Sequence, residues 1–289
     1  MVVFFTDSDT DITLEEAQKY GFKLISMPYA IGEKVIYPYK DFKTFDAKPY
    51  YDLLRDGTIP TTSALNPEEY KAYFEPVFAN GDDIFYVHFS RAMSGTFSAM
   101  DFAVKELKAK YPERKFYELD TKGITTISYA VVREVIKLKE QGKTPEEILA
   151  WADKEVNHFA FYLFAEDLKF FKRSGRVSGF AAFMGGLIGI RPLIYMNDNG
   201  QLVSIGKEKG RAKTLKRIVE YVKELCDNYI DYPIYIGNSD CLDTAQELKA
   251  MLLSELGQNA KIEIVTVNPT AGAHCGPNGT GVSFHAKHR

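Results

Sequence analysis

The sequence predicts an α/β protein in two parts, a parallel sheet in the first half and a sheet with antiparallel pairing in the second. Three observations carry that reading. The first half alternates short apolar runs with capped segments, the rhythm of a parallel sheet with helices on its faces. Beyond residue 158 the pair Asn199-Gly200 lies between two apolar runs, a hairpin signal that calls for antiparallel neighbours. A chain of 289 residues with 45% hydrophobic content is long enough to fill two cores. The expected boundary lies near Asn157, giving domains 1–157 and 158–289.

The elements follow in order. Residues 2–6 are an apolar run closed by Asp7, as in a buried strand. Thr13-Leu14-Glu15-Glu16 is a capping box: hydroxyl and carboxylate each satisfy a backbone N–H that the first helical turn leaves open. Residues 46–55 read as a helix closed by Gly57, and Asn66-Pro67 places a cap and a first-turn proline before a helix ending near Gly81. Residues 84–89 and 115–119 are expected strands, with a helix over 94–110 between them. A helix over 124–141 ends at Gly142, and Thr144-Pro145-Glu146-Glu147 caps the next. In the second half 159–164, 191–196, 201–206, 233–236 and 261–267 read as strands, and 211–228 and 242–256 as long helices. No internal repeat is evident.

Composition narrows the function. The net charge of −3 provides no basic field for nucleic acid. Cys226, Cys241 and Cys275 are odd in number and form no CxxC pair, which fits reduced thiols in a cytoplasm better than a disulfide framework. Residues 2–5 are an apolar run with no preceding Lys or Arg, so no signal peptide is expected. Residues 179–190 carry no charge but fall short of the ~20 apolar residues that span a bilayer. The expectation is a soluble cytoplasmic protein with at most transient contact with a membrane surface.

The most informative stretch is DLKFFKRSGRVS, followed by the uncharged run to Ile190. Lys169, Lys172, Arg173, Arg176 and Arg191 surround a Ser-Gly turn and a greasy, glycine-bearing segment. A cationic turn beside an apolar segment suits a ligand with an anionic head and a long apolar body. An ordinary surface turn leading into a core helix reads equally well. Three small polar loops add to it: Thr61-Thr62-Ser63, Ser94-Gly95-Thr96, and His274-Cys275-Gly276-Pro277. Ser94 follows a strand and opens a helix, where free N–H groups favour an anion. Hydroxyls of Thr62 and Ser94 can donate to that anion, as can His274 directly or through water. Taken singly, such residues are more often helix caps or a hydrogen-bonded structural histidine.

Familiar catalytic patterns fail. Ser94 lacks both glycines of a GxSxG elbow. There is no GxGxxG fingerprint and no GxxxxGK[ST] loop. Asp7, Asp9 and Asp11 begin like a calcium loop, but Ile12 and Gln18 stand where glycine and glutamate are needed. The strand ending in Asp7-Ser8-Asp9 also resembles the nucleophile loop of haloacid-dehalogenase-like phosphatases, in which one Asp attacks phosphate and the other acts as acid and base. Asp11 stands where that motif expects Thr or Val, and an Asp-rich turn explains the same residues. A hydrolase built on Ser94 and His274 is a weaker third reading.

Together the motifs resemble the DegV family, which includes the fatty-acid-binding subunits of bacterial fatty acid kinase. The resemblance rests on Thr6-Asp7-Ser8 with Asp11, Pro60-Thr61-Thr62-Ser63, Ser94-Gly95-Thr96-Phe97-Ser98-Ala99, DLKFFKRSGRVS, and Gly272-Ala273-His274-Cys275-Gly276-Pro277 through Gly281, in family order over nearly the whole chain. It implies a Rossmann-like N-terminal domain and a C-terminal domain with a mixed, largely antiparallel sheet. It further implies a fatty acid between the domains, its carboxylate held by Thr62, Ser63, Ser94, Gly95, Arg176 and His274, with Arg173 close enough to exchange roles with Arg176. Phe180, Phe183, Leu187, Ile188 and Ile190 would wall the acyl tunnel. Arg173, Lys207 and Arg211 would face a dihydroxyacetone-kinase-like partner that phosphorylates the presented acid. The chain itself would be non-catalytic, with no metal and no cofactor beyond the bound acid. Two departures stand out: Phe89-Ser90-Arg91-Ala92 before Ser94 is bulky, and residues 285–289 are extra-basic.

Overall fold

The computed structural model describes residues 1–166, 168–179 and 189–289. The first half runs β1 (Val2–Asp7), α1 (Leu14–Lys19), β2 (Phe22–Ile25), β3 (Tyr29–Ile31), β4 (Lys34–Ile36), α2 (Ala47–Arg55), β5 (Thr61–Thr62), α3 (Pro67–Ala79), β6 (Asp83–His88), α4 (Thr96–Lys110), β7 (Phe116–Asp120), α5 (Thr126–Glu140) and α6 (Pro145–Glu155). The second runs β8 (Phe159–Phe164), α7 (Leu168–Ser174), β9 (Val177–Ser178), β10 (Ile190–Met196), β11 (Leu202–Lys209), α8 (Arg211–Leu225), β12 (Ile234–Asn238), α9 (Leu242–Leu256), β13 (Ile262–Thr266), α10 (Pro269–Cys275) and β14 (Thr280–His285). The helix starts obey their caps. Thr13, Asn66 and Thr144 each accept from the backbone N–H three residues on, and Glu16, Glu69 and Glu147 reach back to complete a capping box.

The first sheet has the order β2-β1-β6-β7 with every pair parallel. The second has the order β13-β12-β14-β8-β10-β11-β9, antiparallel except for its outermost pairs. A small antiparallel sheet, β4-β3-β5, projects from the first half. The predicted α/β class with a parallel and a largely antiparallel sheet is therefore the observed one.

Side chains alternating along the strands divide the core into layers. On β1 and β6, Phe4, Phe85 and Val87 face α5, while Phe5, Ile84 and Tyr86 face α3 and α4. On β8 and β12, Phe159, Phe161, Leu163 and Tyr235 join the α5 layer, and Ala160, Tyr162, Phe164, Ile234 and Ile236 face α8 and α9. Helix α5 is thus packed between the two sheets, buried at nine positions from Thr126 to Ile136. Strands covered on both faces explain why 84–89, apart from His88, and 159–164 read as apolar runs.

Expected and observed bounds differ at helix ends. The helix expected from Ser94 begins at Thr96 behind the short turn Arg91–Met93, and the one expected to reach Asn228 stops at Leu225.

Candidate functional site

Between the two sheets lies a cleft of about 1120 Å³, counting its open mouth. Both halves build it. Thr62 at the end of β5 and Ser63, Ser94 and Gly95 from loops belong to the first half, and Arg176 and His274 to the second. The six residues expected from the sequence to hold a carboxylate therefore line one cavity. The apolar wall comes from Met27, Phe89, Met93, Phe161, Leu163 and Phe171. None of those was singled out as a site residue from the sequence; the alternation of β8, which turns Phe161 and Leu163 to one face, was the available signal.

At one end of the cleft, His274 Nε2 lies 2.9 Å from Thr62 Oγ1. Short helix α10 brings them together: Asn268 caps it by accepting from Ala271 N–H, Pro269 opens it, and His274 sits in its last turn. Burial, with the Arg176 guanidinium nearby, pushes His274 down to about 4, so the ring is neutral at pH 7. Ser94 Oγ accepts from Thr96 N–H at 3.2 Å and so supports the start of α4, whose cap residue Gly95 has no side chain to offer.

A second cleft, about 480 Å³ counting its open mouth, adjoins the first and is lined by Pro60, Thr61, Phe170, Arg173, Ser174 and Ala273. Thr62, Arg176 and His274 line both and form the wall between them. Arg173 faces only the outer cleft. Arg176 is steadied by its own turn, donating to Ser174 O at 2.6 Å.

The remaining expected site residues lie elsewhere. Arg191 is engaged with both carboxylate oxygens of Glu166, at 2.8 and 2.5 Å, and does not join the cationic turn. Lys207 is on β11, and Arg211 opens α8 facing Thr244 and Glu247; neither is among the residues lining these two clefts. Ile190 begins β10 and does not line the cleft, while Phe180, Phe183, Leu187 and Ile188 fall outside the described residues.

Within the aspartate loop, the Asp7 and Asp11 carboxylates are engaged in structural contacts. Asp7 Oδ1 accepts from Asp9 N–H at 2.9 Å, and Oδ2 from Tyr86 OH at 3.0 Å and Phe89 N–H at 3.2 Å. Both oxygens of the would-be nucleophile are engaged, as in an Asx turn, and Asp7 is not among the cleft-lining residues. Burial raises it to about 6 against the pull of His88. Asp11 Oδ1 accepts from the backbone and side-chain N–H groups of Asn268, at 2.9 and 2.7 Å, tying the loop after β1 to the cap of α10. The serine hydrolase pairing is absent as well, since His274 Nε2 pairs with Thr62, not Ser94. Among the described residues no group of three or more His, Cys, Asp or Glu is placed to hold a metal ion, and no helix is long and apolar enough to cross a membrane.

Comparison with known proteins gives one answer. A family model described as "Uncharacterised protein, DegV family" matches residues 1–287. A DegV domain-containing protein of Clostridium perfringens is 30% identical over 282 residues, 98% of this chain and 96% of the relative. A fatty-acid-binding DegV family protein from Thermus thermophilus superposes with a TM-score of 0.84 at 21% identity, covering 99% of both chains. A stearic acid-binding protein from Eubacterium ventriosum gives a TM-score of 0.84 at 20% identity, again over 99% of both. The paired sheets, the cleft between them and a match running through 287 of the 289 residues have one reading: this chain belongs to the DegV family.

Proposed function

We propose that this protein binds a long-chain fatty acid in the cleft between its sheets and presents the carboxyl end to a separate kinase for conversion to an acyl phosphate. The observation that carries the reading is the wall formed by Thr62, His274 and Arg176, apolar space on one side and an arginine-bearing cleft on the other. Solved relatives described as binding fatty acids support the ligand class. Thr62, Ser63, Ser94, Gly95, Arg176 and His274 hold the carboxylate. The outer cleft, with Arg173 and Arg176, faces the incoming phosphoryl group, and Lys207 and Arg211 meet the dihydroxyacetone-kinase-like partner.

The energetics suit a carrier. Burying a sixteen-carbon tail at about 0.8 kcal/mol per CH₂ supplies on the order of 10 kcal/mol before ordering costs. A hydrogen bond to the carboxylate adds roughly 1.5–3 kcal/mol. The tail gives affinity and the polar end gives orientation, so the chain needs no nucleophile, metal or other cofactor, and works in the cytoplasm.

The test is mass spectrometry of the purified protein, native and then denatured. A stoichiometric fatty acid is expected; a protein that is empty and takes up no added acid would sink the reading. Ser94→Ala should weaken acyl binding about tenfold, equivalent to about 1.4 kcal/mol, measured by titration calorimetry. ATP-dependent acyl phosphate should form only when a kinase of the partner class is added.

A further inference from the structure

On three neighbouring strands of the second sheet the cleft stops at the same row of residues. Gly237 of β12, Gly281 of β14 and Leu163 of β8 stand side by side in register, and all three line the cleft. The next row on that face is Tyr235, Ser283 and Phe161, also in register. Of these Phe161 alone lines the cleft. Helix α5 explains the stop. Its Thr126 Cγ2 would stand 3.1 Å from a Cβ at Gly237, and the Tyr129 ring meets Tyr235 edge-on with centroids 5.0 Å apart. Helix and sheet are in contact from this row on, so the space between them closes.

The last open row has a bare backbone floor at its two glycines, and Phe161 reaches over one of them. A Cβ at Gly281 would lie 2.7 Å from Phe161 Cε2 and 3.1 Å from Cζ, so the ring lies diagonally across that glycine. It is packed there, at 5% exposed. The opposite side of the cleft is polar. Arg176 and His274 belong to segments that follow the carboxyl ends of β8 and β13, whereas the Phe161 row lies toward the amino ends of β8 and β12.

We infer that Phe161 sets the length of acyl chain the protein accepts, its ring meeting the terminal methyl group. This rests on the fatty-acid reading above and adds the residue that limits the ligand. A smaller side chain would open the cleft over Ser283, one row and about 6–7 Å further along the strands.

Titration calorimetry on the full chain tests it, using the saturated acids from lauric to arachidic. In the native chain affinity should rise about fourfold per methylene and then break where the methyl end meets the ring. Phe161→Ala should move the break to a longer acid by roughly two to four carbons. Phe161→Leu should move it less in the same direction, and Phe161→Trp toward shorter acids. Leu163→Ala, on the side wall one row nearer the polar end, should weaken binding and leave the break in place. A break at the same acid in all three Phe161 variants, whatever the overall loss of affinity, would overturn the inference and leave the carrier reading intact. So would affinity that climbs through the native series without a break. Binding of no acid by the native chain would overturn both. Should Phe161→Ala fail to fold, Phe161→Leu and Phe161→Trp still decide.

Discussion

At the residue scale, Thr62 and His274 are 212 positions apart and act as one unit through a 2.9 Å contact. The neutral ring needs this partner, because a buried imidazole nitrogen without one is costly. Thr62→Val and His274→Ala should each weaken fatty-acid binding about tenfold. The double variant should lose well short of a hundredfold, since removing either member already disables the pair. Additive losses in a calorimetric cycle would show two independent contacts. Asp11 permits a pH test. Burial raises its carboxyl from 3.8 to about 7, so the native state binds a proton that the unfolded chain releases near 3.8. Its contribution to stability is therefore fully present below pH 3.8 and is lost as pH rises through about 7. Asp11→Asn keeps an acceptor for Asn268 and cannot ionise. The stability of the variant relative to the native chain should rise between pH 4 and 7, by at most about 1.4 kcal/mol per pH unit, and level off above. Paired thermal melts across that range check it; a flat difference would show that Asp11 is ionised in the fold.

At the element scale, α7 and α10 set the wall shared by the two clefts, and their approach depends on a missing side chain. Gly276 closes α10 at φ +74°, and a Cβ there would sit 2.3 Å from Phe170 Cδ2 of α7. Gly276→Ala should destabilise the fold by roughly 2 kcal/mol or more through left-handed strain and the clash. It should also weaken ligand binding by displacing His274, which melts and titration would show together. Elements of this kind were the hardest to read from sequence. Where a local rule applied, the reading held: capping boxes at Thr13 and Thr144, the Asn66-Pro67 start, and the apolar runs of β1, β6 and β8. The strands β2 to β5 and β9, like helices α7 and α10, are two to seven residues long, too short for periodicity to show. Central strand β14 was missed because Thr-Gly-Val-Ser-Phe-His looks like a polar tail. It is buried throughout because β12 and β8 pair with it on both edges, and Gly281 is small because Phe161 and Leu163 crowd its site. Thr62, Ser63, Ser94, Gly95, Arg176 and His274, which line one cleft, were picked out through the family motifs, whereas most of that cleft's apolar wall comes from residues far apart in the chain.

At the scale of the whole molecule, the two halves share a core and a set of polar bolts. Helix α5 packs against both sheets, and Tyr50 and Tyr51 hydroxyls donate to Pro269 O at 2.6 Å and Val267 O at 3.0 Å. We propose the division near residue 157 as a change of sheet, not as a boundary between independently folding units. Arg289 provides the test. It is 8% exposed and belongs to the segment read from sequence as extra-basic. Its guanidinium donates to Lys122 O and Thr121 O beside β7, to Val156 O after α6, and to Asn197 O in the β10–β11 turn. Burial lowers it only to about 10, so it stays charged at neutral pH. Arg289→Leu leaves carbonyls of both halves without that donor and should cost about 3 kcal/mol. The single tryptophan, Trp151, packs edge-on against Phe159 at 6.2 Å, so its fluorescence follows the junction while circular dichroism follows the helices. In urea the native chain should show one midpoint by both probes, and the variant a lower midpoint that the probes still share. Midpoints that separate in the native chain would mean that the halves fold alone, and that the cleft is a hinge between bodies rather than a cavity in one.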